Sequence, residues 1–260
     1  MAGGKRRNGM LFALAALLLV PAARASALPP TPEPRLIAWG GVGEAQRWAR
    51  ERDGSVSFAV VDGRRIRGRA VDRRYPSASV VKAMLALAVV RDARGRELTS
   101  GERALLGPMI RVSDNAAAST VYRRIGGDGL RRVAAVARMT RFADVGNWAD
   151  AQLTAADQAK LFLRIDRLAP RRHRAYLRHL LASIVPSQRW GIAPVASERG
   201  FTIMFKGGWR TRIAHQVALL ERDGRRIALA VLTSGTGDGY GRATQAGIAA
   251  RVLAERPPRR

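Results

Sequence analysis

The sequence predicts an α+β fold: an antiparallel sheet flanked by N- and C-terminal helices, with an all-helical lobe inserted between its strands. Three observations carry this. Strand-like apolar runs lie near both ends of the chain, at Ser55–Val61 and again between Thr202 and Leu232. Between them, from residue 79 to about 185, the apolar period is that of helices. A turn dipeptide sits inside each strand group, Asp62-Gly63 in the first and Asp223-Gly224 in the second, so neighbouring strands run antiparallel.

Residues 1–27 read as a secretory signal. Lys5, Arg6 and Arg7 form the positive start, and Met10 to Val20 is an 11-residue apolar run, too short to span a bilayer. Ala25-Ser26-Ala27 is a small-x-small cleavage site. The mature chain is therefore expected from Leu28, secreted or periplasmic, with no transmembrane span after cleavage. Pro29, Pro30, Pro32 and Pro34 make 28–42 an extended linker, so the folded domain spans 43–260. Gly43 to Arg52 reads as a first helix. The strand at 55–61 pairs through its turn with an alternating run, Arg65 to Val71. Ser79 to Ala93 is a helix rich in Val, Leu, Ala and Met. Helical patterns follow at 101–112, 115–125, 128–138, 154–169 and about 170–184, with Thr154 and Asp157 in capping-box spacing. A loop joins Met139 to Leu153. Strands at Thr202–Lys206, His215–Leu220 and Ile227–Leu232 and a helix at Gly241–Glu255 complete the order.

Composition narrows the chemistry. The chain has 46 Lys+Arg against 20 Asp+Glu, a net charge of +26; losing residues 1–27 removes four bases and no acid, leaving +22. With no cysteine, disulfides, thiolate nucleophiles and thiolate metal sites are excluded. The arginines are dispersed, without a basic block interleaved with aromatics. That argues against nucleic acid and leaves anionic cell-wall polymers as the partner the charge would suit. His173 and His179 lie in an Arg-rich helix and are expected at the surface. His215, alone on a strand, is expected to be packed or hydrogen-bonded. No metal site and no cofactor are expected. Gly235 to Gly241 lacks the Lys-Ser/Thr ending of a phosphate loop and reads as a connector. Trp148, Trp190 and Trp209 are candidates either to line a cleft or to pack in the core.

Lysine occurs only four times, at 5, 82, 160 and 206, and every other basic residue is arginine. A retained lysine marks a place where an amine able to lose its proton could matter. Three short strings follow from this. In Ser79-Val80-Val81-Lys82, positions i and i+3 share a helix face, so a hydroxyl sits beside an amine. A serine needs a base to attack, and an enclosed lysine can be one. Ser113-Asp114-Asn115 lies between two helices, where a hydroxyl and a carboxamide could relay a proton and hold an amide. The same three residue types also suit a helix N-cap. Lys206-Gly207-Gly208-Trp209 ends a strand, with glycine allowing close approach of another backbone.

The order Ser-x-x-Lys, Ser-Asp-Asn, Lys-Gly-Gly resembles that of the class A β-lactamase-like serine hydrolases, in the penicillin-recognising superfamily. The resemblance covers nearly all of the mature chain. It implies Ser79 as nucleophile, Lys82 as base, Ser113 as proton shuttle, Asn115 as a positioner of substrate and Lys82, and Lys206 as the draw for a substrate carboxylate. It places the backbone N–H groups of Ser79 and Trp209 in an oxyanion hole, with Gly208 at the substrate-binding strand edge. The implied substrate is a β-lactam or a peptidoglycan-type amide. Two departures stand out. The family's β-lactamases carry a loop glutamate that activates water; here no Glu occurs between Glu102 and Glu198, and the loop offers only Asp144 and Asp150. Gly207 stands where the family usually has a hydroxyl. Acylation machinery is therefore expected intact, and deacylation of a β-lactam slow; the alternatives are a non-catalytic cell-wall-binding relative and a D-alanyl peptide carboxypeptidase.

Overall fold

The computed structural model describes residues 1–3 and 39–254. The expected signal peptide (its first three residues apart), the expected cleavage site and the proline-rich stretch lie outside the described residues. The linker ends sooner than expected: helix α1 spans Trp39–Arg50, so residues 39–42 are already helical.

Strands β1 (Ser55–Asp62) and β2 (Arg65–Arg69) form the first hairpin, and β5 (Thr202–Arg210), β6 (Ile213–Arg222) and β7 (Arg225–Ser234) form a meander. The sheet order is β2-β1-β7-β6-β5, antiparallel throughout, with β1 paired to β7. Both ends of the chain thus build one sheet, as the sequence predicts. Successive residues of β1, β6 and β7 are buried, so both faces of the sheet are covered. Helix α8 (Asp238–Val252) packs on α1, β6 and β7, and α5 (Ala155–Leu168) crosses β1, β6 and β7.

The inserted lobe is built around α2 (Lys82–Asp92), which packs on α3 (Ser100–Arg111), α4 (Asn115–Ala137) and α6 (Arg171–Ala182). Every residue of α2 from Lys82 to Val90 is buried. A helix apolar on all sides must be a core helix, and Lys82 is its one charged member in that stretch. Thr99 and Glu102 form a reciprocal capping box on α3. Gly126, at φ +62°, breaks α4 where the two expected helices at 115–125 and 128–138 meet. Thr154 accepts from the Asp157 N–H and caps α5. Asp157 does not return the bond; its carboxylate accepts from the Thr140 and Arg141 N–H groups instead.

Several elements differ from the sequence reading. The lobe is not all-helical: β3 (Arg74–Pro76) pairs with β4 (Gln152–Thr154), too short to show a period. A short helix, α7 (Ile192–Glu198), precedes β5. Strand β5 continues past Lys206 to Arg210, so the Lys-Gly-Gly-Trp string lies within a strand rather than at its end. Helix α8 starts at Asp238, inside the expected connector. His173 is buried rather than exposed, its Nε2–H shared by the Ala93 and Arg96 carbonyls at 3.0 Å each. Among the described residues, no helix is long and apolar enough to cross a membrane.

Asp166 ties α5 to α6 and β7. Its carboxylate accepts from Arg178 and Arg226 at 2.7 Å each and is 4% exposed. Burial works to raise its pKa, but the two guanidiniums win and hold it below the ordinary value. Its contribution is therefore present above the unfolded carboxyl's pKa and is lost as pH falls through the folded one. Asp166→Asn should leave two guanidiniums under-paired and cost about 3 kcal/mol at neutral pH, read from urea unfolding. A loss within error of zero would show that the network adds nothing.

Candidate active site

The chain enters the site along β3. Pro76, Ser77 and Ala78 lead into a 3-10 turn at Ala78–Val81 that runs directly into α2. This approach is held from three sides. His215 Nε2 lies 3.0 Å from the Pro76 carbonyl, the Ser77 N–H donates to Ala151 O at 2.8 Å, and Ser77 Oγ donates to Trp148 O at 2.8 Å. Ala78 sits at φ +44°, a conformation that opposes its β-carbon and persists because the neighbours over-determine it. Ser79 is half-buried on the turn, and its Oγ makes no hydrogen bond to a described residue.

Lys82, one turn on, is fully buried. Its Nζ donates to Ser113 O at 2.6 Å, Asn115 Oδ1 at 2.7 Å and Ser113 Oγ at 3.2 Å. An ammonium has three protons, so all three are engaged. Burial lowers its pKa to about 8, against the opposing charge of Asp114. Asp114 does not reach into the site; it caps α4 by accepting from the Ala117 N–H at 2.7 Å. Ser113 holds φ +61°, which turns both its carbonyl and its hydroxyl toward the lysines.

Lys206 comes from β5. It is fully buried and donates to Ser113 Oγ at 3.0 Å and to Gly207 O at 2.8 Å. Burial first, and then the charge of Lys82, push its pKa well below that of a free lysine. Gly208 lets β5 lie against the turn: a β-carbon there would stand 2.8 Å from the backbone nitrogens of Ser79 and Val80. The structure thus gathers Lys82, Ser113, Asn115 and Lys206 into one hydrogen-bonded set, with Gly208 placed on the Ser79 backbone. The expected direct Ser79–Lys82 hydrogen bond is not formed.

Residues 102–255 match the β-lactamase enzyme family. The chain belongs to that family. The matched stretch holds Ser113, Asn115, Lys206, Gly208 and Trp209, while Ser79 and Lys82 precede it. No curated protein matches the chain. Among solved structures, a β-lactamase from Sphaerobacter thermophilus DSM 20745 is similar at 22% identity, with a TM-score of 0.72 over 83% of this chain and 96% of that one. A class A β-lactamase from Mycobacterium abscessus gives 18% identity and a TM-score of 0.69, covering 82% and 98%. PBP-A gives 16% and 0.70, covering 85% and 97%. These likenesses establish the β-lactamase fold.

Within that fold the departures have physical causes. A β-carbon at 207 would stand 3.0 Å from the indole of Trp190, so glycine leaves that ring undisturbed where a side chain would make it give by a few tenths of an ångström. Trp190 meets Trp209 edge-on at 5.8 Å, and the Arg242 guanidinium lies 4.6 Å above Trp190. Trp209 lies 5.9 Å from Lys206 Nζ and Trp148 lies 4.9 Å from Lys82 Nζ, so these two border the lysine pair, and Trp148 also packs against the core. Asp144 is turned away, accepting from Tyr122 Oη at 2.8 Å and Arg131 at 3.2 Å. Asp150 pairs with Arg210 at 2.6 Å and accepts from Asn147 at 2.9 Å. A cavity of about 810 Å³ at the far end of α2, bordered by Arg91, Val133 and Leu168, contains none of the expected site residues.

Sequence reasoning missed Ser77, Ala151 and the role of His215. Residue spacing carries no signal for Ser77 or Ala151. His215 faces Gly208 in the β5–β6 register, which is visible only once both strands are extended to the turn at 211–212. His215 Nδ1 accepts from the Thr233 N–H at 3.2 Å, so its proton sits on Nε2 and donates to Pro76. Burial lowers its pKa to about 4. Protonation would remove the Thr233 bond, so stability falls as pH drops from the unfolded value toward 4, by roughly 2–3 kcal/mol. His215→Gln should flatten that acid dependence in urea titrations between pH 7 and 4.5. Equal acid sensitivity in both proteins would contradict it.

Proposed function

We propose that this protein is a serine acyl-transfer enzyme that forms an ester on Ser79 with a β-lactam or a peptidoglycan-type amide. The observation that carries the reading is the Lys82 amine, buried one turn from Ser79 with a pKa near 8 and held by Ser113 and Asn115. At pH 7 about one such amine in ten is neutral. A neutral amine gives up one N–H donor and gains a lone pair, which can take the Ser79 proton. Ser79 Oγ then bonds to the carbonyl carbon, the C–N bond breaks, and Ser113 Oγ delivers its proton to the leaving nitrogen while the Lys82 ammonium replaces it, returning Lys82 to the neutral amine. Lys206, sharing Ser113, offers the positive field for a substrate carboxylate. Trp209 and Ser79 supply the N–H groups for the oxyanion. A variant of PBP-A, one of the structural neighbours, is described as an acyl-enzyme complex with penicillin G.

Release of the ester is the slow step in this reading, because neither loop aspartate is free to activate water. The N-terminal pattern of Lys5 to Ala27 supports export to the periplasm or medium, where such substrates occur, and the net charge suits anionic wall polymers. A second reading, a cleft that binds wall fragments without reacting, is favoured by the missing Ser79–Lys82 hydrogen bond.

Mass spectrometry after benzylpenicillin exposure separates the two. The wild-type protein should gain one adduct and Ser79→Ala none, with both folded by circular dichroism. The acylation rate should rise with pH, reach half its maximum near the Lys82 pKa of about 8, and level off above it, since the neutral amine is the base. No adduct at any pH would leave the binding-only reading.

A further inference from the structure

After acylation, water must reach the carbonyl carbon of the ester, and a base must take its proton as the C–Oγ bond breaks and Oγ regains a hydrogen. What stands over Lys82 decides whether this can happen. Among the described residues, no carboxylate hydrogen-bonds to Lys82; its contacts are Ser113, Asn115 and the face of the Trp148 indole at 4.9 Å. That indole is fixed in place. Its Nε1–H donates to Ser119 Oγ on α4 at 3.2 Å, and its carbonyl accepts from Ser77 Oγ at 2.8 Å. Asn147 caps the single 3-10 turn Trp148–Asp150 through the Ala149 N–H. The turn is tied to the strand edge by Asp150–Arg210 at 2.6 Å, and to the nucleophile's approach by Ser77 N–H on Ala151 O.

We propose that Trp148 is a water shield and a determinant of reaction specificity. Its ring closes the side of Lys82 from which a hydrolytic water would approach, and so lengthens the life of the Ser79 ester. The proposal rests on acylation of Ser79 and adds to the engaged loop aspartates a second cause of slow release; with the ring removed, water reaches Lys82, whose neutral amine can take its proton. Acylation takes its hydroxyl from Ser79 and needs no water, so a shield against water leaves that step unobstructed.

The test is the lifetime of the benzylpenicillin adduct, followed by mass spectrometry after excess drug is removed, together with the acylation rate of the same preparations. Trp148→Ala should shorten the lifetime about tenfold or more while acylation stays within about threefold of wild type. Trp148→Phe should keep a lifetime close to wild type, because the ring still covers the amine. Ser119→Ala, at a half-exposed hydroxyl, should release the indole and shorten the lifetime by about threefold. A general loss of packing would slow acylation and could not speed release selectively. An unchanged lifetime in Trp148→Ala overturns the proposal. Should that variant not fold, an unchanged lifetime in Ser119→Ala does the same. A wild-type adduct that hydrolyses as fast as it forms also overturns it while leaving Ser79 acylation intact. Absence of any adduct on the wild-type protein removes the acylation reading itself, and the shield with it.

Discussion

Two lysine amines share one serine hydroxyl. Ser113 Oγ accepts from Lys82 at 3.2 Å and from Lys206 at 3.0 Å, and both lysines are fully buried. Burying a cation is expensive unless its hydrogens are met, and burying two side by side adds mutual repulsion. The fold meets this in two ways. It surrounds the amines with carbonyl and amide oxygens from the Ser113–Asn115 turn and from Gly207, and it lowers both proton affinities. Ser113 must adopt φ +61° to present its carbonyl and hydroxyl together, a strain of about 1–2 kcal/mol for an L-residue. The constraint then propagates. The lobe has to place this turn between a core helix and an edge strand, and the strand must lack a β-carbon at 208, where it lies against the Ser79–Val80 backbone.

The segment that leads into Ser79 is governed by a different set of contacts. Pro76, Ser77 and Ala78 are gripped by β6, by the loop at 147–151 and by the small β3–β4 pair. The loop that in the family's β-lactamases carries an acid is thus a structural partner of the serine's own segment here. Its acids are spent on Tyr122, Arg131 and Arg210, and its aromatic residue faces the amine.

Much of this was legible in the sequence, and the limits are instructive. The sheet made from both chain ends followed from two strand groups separated by helical periodicity. The three strings converged because each sits where a local signal is strong: the start of a buried helix, a helix cap and a glycine-bearing strand. What escaped was set by long-range pairing. Three-residue strands such as β3 and β4 carry no measurable period. The ends of β5 and β6 were underestimated because Gly207, Gly208 and the arginines at 210 and 212 do not look like strand residues, and with those ends went the register that puts His215 opposite Gly208. His173 was misplaced because its arginine-rich neighbours suggested solvent, whereas its own ring faces the carbonyls at the end of α2.

The contact between Gly207 and Trp190 couples two positions in any further change of this protein. A side chain at 207 presses on the indole, which must give by a few tenths of an ångström, and a smaller residue at 190 gives up the ring that meets Trp209 edge-on and carries the Arg242 guanidinium. Each position is felt at the other. Engineering that grafts a residue with a side chain onto 207 from a relative should therefore repack 190 in the same step.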